Sequence, residues 1–231
     1  MIALTNNNLV DISKTEAINK QLLSIIKLEW ISNNTYWIRP WDFSMCMELV
    51  PPKQTDVVLD IGCGISPFIF FIADYVSKVY GIDNGVFSNY KQWHDTLTEF
   101  DDYNNGKVEV ITQNAAQLPY PNETFDIVYT FSALEHFNDD DESACMKEVY
   151  RVLKSNGVFC GTVDFNPITE FPRKGMKKAF TRTYTYEAFI SRIIEPSGLS
   201  LLGEFHKLNP MPESVAYVAK EMFFALVKDK S

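Results

Sequence analysis

The fold is decided by the stretch Val57-Val58-Leu59-Asp60-Ile61-Gly62-Cys63-Gly64-Ile65-Ser66-Pro67. Apolar and β-branched residues run up to an acid, as in a buried parallel strand, and two glycines spaced one residue apart follow. We expect a tight turn there, because glycine adopts positive φ and lets a ligand approach the main chain. Ser66 at the N-cap and Pro67 at the first helical position predict a helix start. The stretch is therefore predicted to form a strand, a nucleotide-binding turn and a helix.

Two classes of cofactor use such a turn. A dinucleotide requires G-x-G-x-x-G, because its pyrophosphate lies on the helix N-terminus and the third glycine allows close helix packing. Pro67 occupies the position of that third glycine. S-adenosylmethionine carries no phosphate and requires only close backbone approach. The turn therefore favours S-adenosylmethionine, with a nicotinamide-dependent oxidoreductase as the less favoured alternative.

An acid follows the glycine turn at the end of the next predicted strand. Asp83 lies 19 residues after Gly64 and ends the run Val79-Tyr80-Gly81-Ile82-Asp83. An acid about 20 residues past such a turn holds the ribose hydroxyls in nucleotide-binding α/β folds. We therefore predict that Asp83, with Asn84 beside it, binds the cofactor.

The composition narrows the class of protein. The chain has 231 residues, 46% of them hydrophobic, which suits one α/β domain and is too short for two. A net charge of −9 and a pI near 4.9 disfavour partners such as nucleic acid and anionic membranes. Four cysteines without C-x-x-C spacing and three histidines without H-x-x-x-H predict no metal site. Without a leader or a long apolar run, we expect a single cytoplasmic domain over residues 1–231.

Residues 1–50 are predicted to form a helical and aromatic extension. Ser13–Glu16 matches the S-x-x-E capping box, and apolar residues then recur at helical spacing. An aromatic cluster follows, for which two interpretations stay open. Its rings pack against the sheet edge, or the cluster forms a wall of the acceptor pocket or reaches the cofactor carboxylate. The residues that would bind the acceptor there are Tyr36, Trp37 and Arg39.

The remaining chain alternates predicted strands and helices. Strands are predicted at 108–111, 126–131, 158–163, 199–205 and 222–227, and helices at 67–77, 88–100, 185–194 and from 139 to a stop at Gly157. Thr185 is the predicted N-cap of the helix through Ile194, and Pro196-Ser197-Gly198 is predicted to end it. The last two strands leave no room for a crossover helix and are therefore expected to be antiparallel. We predict an α/β fold with a doubly wound, mostly parallel seven-stranded sheet and an antiparallel C-terminal edge hairpin.

Four motifs, in the correct order, resemble the class I S-adenosylmethionine-dependent methyltransferases, closest to the methyltransferase type 11-like small-molecule branch. They are the acid and G-x-G turn at Asp60–Gly64, the acid Asp83, the loop Asn114–Pro119, and Phe125–Val128 followed by Leu134-Glu135-His136. The resemblance covers residues 57–163 and implies a Rossmann-like methyltransferase fold. The chain departs from the family at Ser66, where a third glycine is common, and at Asn114, where an acid is usual.

The resemblance also implies the residues of the cofactor site. Asn114 stands where the family has an acid near the adenine amino group, and an Asn oxygen can accept that hydrogen bond more weakly. The main-chain N–H of the next residue is expected near the adenine ring. The implied cofactor-binding residues are Asp60, Gly62, Cys63, Gly64, Asp83, Asn84, Asn114, Ala115, Thr130 and Phe131.

His136 is the candidate catalytic residue. A sulfonium methyl group is already activated, so the main task of the protein is to position the acceptor. A hydroxyl acceptor would require a base, and His136 follows the fourth strand at the ligand-facing edge of the sheet. The alternative is a histidine that only satisfies a helix end. Methylation at O or at N stays open, and so does a non-catalytic S-adenosylmethionine-binding partner subunit.

A basic segment follows the fifth predicted strand of this acidic chain. Residues Phe165–Arg182 hold five Lys or Arg and one Glu, a formal charge of +4, while the rest of the chain carries −13. We predict a lid at residues 165–184 over the acceptor, with Lys177 and Lys178 binding it. The alternative is a solvated charged loop. A lid of this charge would imply a small-molecule acceptor that is anionic.

Overall fold

The computed structural model describes residues 38–64, 66, 68–85, 106–166, 182–203 and 220–230, together with Ala17. The strands are β1 (Val57–Ile61), β2 (Lys78–Asp83), β3 (Val108–Thr112), β4 (Phe125–Phe131), β5 (Leu153–Phe165), β6 (Ser200–Leu201) and β7 (Lys220–Val227). The α-helices are α1 (Ile38–Leu49), α2 (Phe68–Ile72), α3 (Asp139–Val152), α4 (Tyr186–Phe189) and α5 (Glu195–Ser197). A 3₁₀ turn spans Leu134–His136, and a π-helical turn, Ile190–Ile194, joins α4 to α5.

Within the described residues, the strands form one seven-stranded sheet in the order β3-β2-β1-β4-β5-β7-β6. The first five are parallel, and β7 runs antiparallel to both β5 and β6. The strand order reverses between β1 and β4, and ligands of open α/β sheets bind at the carboxyl ends of the strands at such a point. The predicted fold class, with its antiparallel C-terminal edge, is confirmed.

Both faces of the sheet are covered by helices. One core contains Leu59 and Val128 from the central strands and Phe189 from α4. The other contains Val58 from β1 and Tyr129 from β4, packed with the aromatic residues of α1 and α2. Burial on both faces explains why the central strands are apolar without alternation.

The predicted boundaries of two helices are wrong. The helix after the glycine turn ends at Ile72 rather than at residue 77, because two turns closed by i→i+3 hydrogen bonds then lead the chain toward β2. The helix that begins at Asp139 ends at Val152 rather than at Gly157, since Leu153 already pairs with Phe125 in the sheet. That pairing joins residues distant in sequence, so local helix signals do not reveal it.

The predicted caps of the C-terminal helical segment have the expected geometry. Thr185 Oγ1 accepts the Ala188 N–H at 3.1 Å, and Gly198 ends the segment with φ = +66°. Ser66 Oγ likewise accepts the Phe68 N–H at 3.2 Å at the start of α2. Local capping chemistry therefore sets these helix ends.

Several predictions fall outside the described residues. These are the helix after the Ser13 capping box, apart from the helical Ala17, the helix over 88–100, and the residues Tyr36, Trp37, Lys177 and Lys178. Arg39 belongs to the first turn of α1. In the described part of the chain, no helix is both long and apolar enough to cross a membrane.

Candidate functional site

The glycine turn after β1 is tied to β2 by hydrogen bonds. The N–H groups of Gly62 and Cys63 donate to Ile82 O at 2.8 and 3.2 Å. The N–H of Gly64 donates to Asp83 Oδ2 at 3.0 Å. Three consecutive donors of the turn are therefore already bound within the protein, which leaves the turn preformed and its N–H groups unavailable to a phosphate.

Asp83 connects the glycine turn to the chain after β2. Its Oδ2 binds the Gly64 N–H, and its Oδ1 accepts the Gly85 N–H at 2.7 Å. The two hydrogen bonds fix the rotamer, and the carboxylate is only partly buried. Because each carboxylate oxygen can accept a second hydrogen bond, Asp83 can still bind ligand hydroxyls from this fixed position.

The two glycines of the turn serve different purposes. A Cβ added at Gly62, where φ is +72°, would lie 2.3 Å from Ala133 Cβ. At Gly64, where φ is +48°, the nearest atom would be Asp83 Oδ2 at 3.9 Å. Both glycines have the positive φ that was expected, and Gly62 also permits the segment after β4 to pack against the turn. Among the described residues, more space is left at Gly64 than at Gly62.

Asp60 and Cys63, two predicted cofactor ligands, are buried. Cys63 packs on Gly81, where an added Cβ would lie 2.9 Å from the Cys63 sulfur. Burial raises the pKa of the Cys63 thiol, and the charges of Asp60 and Asp83 raise it further. The thiol is therefore neutral and packs the turn onto β2, and only the main chain of Cys63 faces the site.

The loop after β3 is held next to Asp83. Gln113 N–H donates to Asp83 O at 2.9 Å. The next residue, Asn114, is exposed, and its Oδ1 accepts the Ala116 N–H at 2.9 Å. Ala115 is buried in this turn. An adenine amine would share the Asn114 oxygen with Ala116, which the second lone pair of that oxygen permits.

The end of β4 contributes main chain rather than side chains to the carboxyl edge of the sheet. Thr130 is fully buried, and the Phe131 ring packs edge-on against Phe43 and Phe68 at 5.1 and 4.7 Å between centroids. Ser132 follows with φ = +45°. A residue other than glycine in the left-handed region is uncommon and often marks a functional site. No sequence signal indicated Ser132.

His136 lies at the same edge as the glycine turn. It ends the 3₁₀ turn that follows β4, where its N–H donates to Ala133 O at 3.0 Å, and it is partly exposed. Ala133 is the residue that contacts Gly62. The buried Glu135 accepts the Asp164 N–H at 3.4 Å, which links this turn to the end of β5. The predicted base and the predicted cofactor turn are thus brought together.

The two ends of the predicted lid are fixed in the fold. Asn166 N–H donates to Tyr184 O, and Tyr184 N–H donates to Asp164 O, both at 2.8 Å. Arg182 is only 4% exposed and forms ion pairs with Asp139 at 2.9 Å and Glu142 at 3.2 Å. Arg182, one of the five cations counted in the basic stretch 165–182, is therefore a buried partner of α3, while the interior of the predicted lid, residues 167–181, lies outside the described residues. Long-range ion pairs bury this arginine.

The described cysteines and acids offer no other reactive centre. Cys46, Cys63, Cys145 and Cys160 are free thiols, and all four are buried. In the described ranges, no group of His, Cys, Asp and Glu side chains is arranged to hold a metal ion. The candidate site is accordingly the carboxyl edge formed by β1, β2 and β4.

Comparison with known proteins finds methyltransferases similar to this chain. A family model described as a methyltransferase domain matches residues 59–161. A probable S-adenosylmethionine-dependent methyltransferase of Mycolicibacterium smegmatis is 28% identical over 182 residues, 76% of this chain and 65% of that protein. A demethylmenaquinone methyltransferase of Listeria monocytogenes is 34% identical over 116 residues, 48% of this chain and 46% of that protein. The chain spans less than two thirds of the length of these curated relatives.

The fold has a similar solved structure of nearly equal length. The 1,6-didemethyltoxoflavin-N1-methyltransferase of Burkholderia thailandensis, solved with bound 1,6-didemethyltoxoflavin and S-adenosylhomocysteine, matches with a TM-score of 0.66. The match covers 98% of this chain and 94% of that one, at 13% sequence identity. At that identity, the likeness concerns the fold.

Proposed function

We propose that this chain is a class I S-adenosylmethionine-dependent methyltransferase that transfers a methyl group to a small-molecule acceptor, as its similarity to methyltransferases supports. The observation that carries the proposal is the hydrogen bond between the Asp83 carboxylate and the Gly64 N–H. It joins the two sequence motifs of the cofactor site, 19 residues apart, in one preformed structure.

The turn fits S-adenosylmethionine better than a dinucleotide. A pyrophosphate would need backbone donors at the turn, but those of Gly62, Cys63 and Gly64 already donate to Ile82 O and Asp83. The remaining lone pairs of the fixed Asp83 carboxylate suit the two hydroxyls of a ribose. The open space at Gly64 supports a ligand that lies against main chain and carries no phosphate there.

His136 is proposed as the base for a hydroxyl acceptor. When bound, S-adenosylmethionine supplies an activated sulfonium methyl group. The partly exposed His136 lies at the same edge of the sheet as the turn, where it can take the hydroxyl proton as the oxygen is methylated. A nitrogen acceptor that arrives deprotonated would need no base, and His136 would then be structural.

The basic segment supports an anionic acceptor. Its interior, residues 167–181, contains Arg173, Lys174, Lys177 and Lys178 and one acid, Glu170. The flanking residues Asn166 and Tyr184 are hydrogen-bonded to each other, and Tyr184 also binds Asp164 at the carboxyl end of β5. We infer from the positive charge of the intervening sequence that the acceptor carries a carboxylate or phosphate.

The charge of the acceptor is tested by reversing charge in this segment. The double variant Lys177→Glu, Lys178→Glu should raise KM for the acceptor and leave the affinity for S-adenosylmethionine unchanged. The matched control, Lys53→Glu with Lys147→Glu, makes the same charge change at two exposed lysines before β1 and within α3. Equal KM values in both variants would contradict the anionic acceptor.

The transfer itself is tested with methyl-labelled S-adenosylmethionine and a fractionated metabolite extract. The proposal predicts protein-dependent incorporation of label into a small molecule. Binding without incorporation in any fraction would favour the alternative, a non-catalytic cofactor-binding partner subunit. Absence of binding would contradict the proposed function.

A further inference from the structure

We propose that Arg182 is a positioning residue that holds the His136 turn in place against the start of α3. The inference rests on the proposed function insofar as His136 acts on the acceptor. Arg182 is buried, and it contacts both the His136 turn and the start of α3. Its contacts include the carbonyl groups of both neighbours of His136.

Arg182 binds the carbonyl groups on either side of His136. Its own N–H donates to Glu135 O at 2.9 Å. Its guanidinium donates through Nη2 to Phe137 O at 2.8 Å. Because both flanking carbonyls are fixed by one residue, the position of the His136 backbone depends on Arg182.

The guanidinium is itself held by the start of α3. Nη1 donates to Glu142 Oε2 at 3.2 Å, and Nη2 also donates to Asp139 Oδ1 at 2.9 Å. The planar guanidinium carries donors on separate nitrogens in a fixed geometry, which lets it bind two carboxylates and a carbonyl that lie at different positions. A lysine would retain the charge but could not reproduce this set of contacts.

A second arginine shares the same carboxylates without reaching the His136 turn. Arg192 Nε donates to Glu142 Oε2 at 2.8 Å, and its Nη2 binds Asp139. The Tyr184 hydroxyl donates to the other oxygen of Glu142. Within the described part of the chain, the Arg192 guanidinium binds the carboxylates of α3 and not the His136 turn, so Arg192 is the matched control for a loss of charge from this cluster.

The end of β5 supports the same turn. The Tyr184 N–H binds Asp164 O, so residue 184 is fixed to the end of β5. The N–H of Asp164 in turn binds the Glu135 carboxylate. The His136 turn is therefore held from β5 as well as from Arg182.

The test compares Arg182→Gln, Arg182→Lys and Arg192→Gln in the full chain. Amide hydrogen exchange at His136 and Phe137 is measured by NMR, and titration with S-adenosylhomocysteine checks the cofactor site. We expect exchange about tenfold faster or more in Arg182→Gln, an intermediate rate in Arg182→Lys, and no change in Arg192→Gln. With an acceptor in hand, Arg182→Gln should lower kcat about tenfold without changing KM for S-adenosylmethionine.

Equal exchange rates in Arg182→Gln and Arg192→Gln would overturn the proposal, because the cluster would then only stabilise the fold. If Arg182→Gln does not fold, Arg182→Lys decides between the two outcomes. Failure of the proposed function can be distinguished from failure of this proposal. In that case the wild-type protein itself would not bind S-adenosylmethionine or would not transfer its methyl group. The exchange comparison still decides the role of Arg182 in that case.

Discussion

The candidate site has a proposed cofactor side, formed by the glycine turn and Asp83, and a proposed acceptor side, formed by the His136 turn, Arg182 and the start of α3. The two sides are built differently. On the cofactor side, β1 and β2 are joined through main-chain groups and one carboxylate, 19 residues apart. On the acceptor side, side chains from α3, Arg182 and the π-helical turn meet across 40 to 50 residues of sequence. The first depends on a short motif, while the second depends on the whole chain being folded.

Two glutamates of α3 differ in their electrostatics. Glu142, on the acceptor side, has a raised pKa because burial outweighs the hydrogen bond from Tyr184 and the charge of Arg192. Glu148, six residues later in α3, has a lowered pKa because Arg151 binds it nearer the surface. Burying charges in this way contributes little net stability, so the acceptor-side cluster is better explained by the geometry that it imposes.

Removal of the His136 side chain should have the largest of the predicted effects on activity. It concerns the acceptor side alone. The variant His136→Ala should lower kcat about 10²–10⁴-fold, the usual range for proton transfer, with the affinity for S-adenosylmethionine unchanged. Steady-state kinetics and calorimetry measure the two quantities. An intact kcat would show that the acceptor needs no base or that His136 is structural.

The contact between the two sides is tested at Gly62. The variant Gly62→Ala should destabilise the protein by about 2–4 kcal/mol, because the added Cβ meets Ala133 and φ is positive. Gly106→Ala is the matched control, since its φ of +71° is nearly the same and no atom lies within 4 Å. The control variant should lower the free energy of unfolding by only about 1 kcal/mol. Equal losses of unfolding free energy in the two variants, measured by denaturant unfolding, would contradict the packing role of Gly62.

On the cofactor side, Asp83→Ala should weaken S-adenosylmethionine binding by about 1.5–3 kcal/mol, as expected for hydrogen bonds to a charged group. The control is Asp126→Ala at the start of β4. Its carboxylate also accepts a main-chain N–H, from Val57 at 2.9 Å, but it lies at the opposite edge of the sheet. Calorimetry should show normal affinity for the Asp126 variant. Similar losses of affinity in both variants would contradict the assignment of Asp83 to the cofactor site.

The smallest predicted effect is on how the free energy of unfolding depends on pH in the acid range. Because the pKa of Glu148 is lowered in the folded state by Arg151, its stabilisation is present above the ordinary glutamate pKa and is lost as pH falls through the lowered value. Glu148→Gln should cost at most about 1.5 kcal/mol at pH 7 and make stability less dependent on pH in the acid range. Unfolding titrations from neutral to acid pH check this, and an unchanged slope would contradict it.

The cofactor side could largely be predicted from the sequence because its signals are local. Spacing alone placed Gly64 and Asp83 at the ends of adjacent parallel strands, and capping residues placed the ends of the C-terminal helical segment. The contact of Gly62 with Ala133 could not be read in this way, because it joins the turn to the end of a different strand.

The acceptor side could not be predicted for a related reason. Arg182 follows four other cations, so its local sequence indicates an exposed charge. Its burial depends on Glu142 and Asp139, on a helix about 40 residues earlier, and on the backbone of the His136 turn. The left-handed conformation of Ser132 likewise arises from the packing around it and has no sequence signal.

The most direct test of the central claim, that the turn at Gly64 with Asp83 binds S-adenosylmethionine, is calorimetric titration of the wild-type protein. S-adenosylmethionine and NAD are titrated separately under the same conditions. We expect saturable binding of S-adenosylmethionine at one site per chain and no heat of binding for NAD. Binding of NAD, or of neither ligand, would contradict the assignment of Gly64 and Asp83 to an S-adenosylmethionine site.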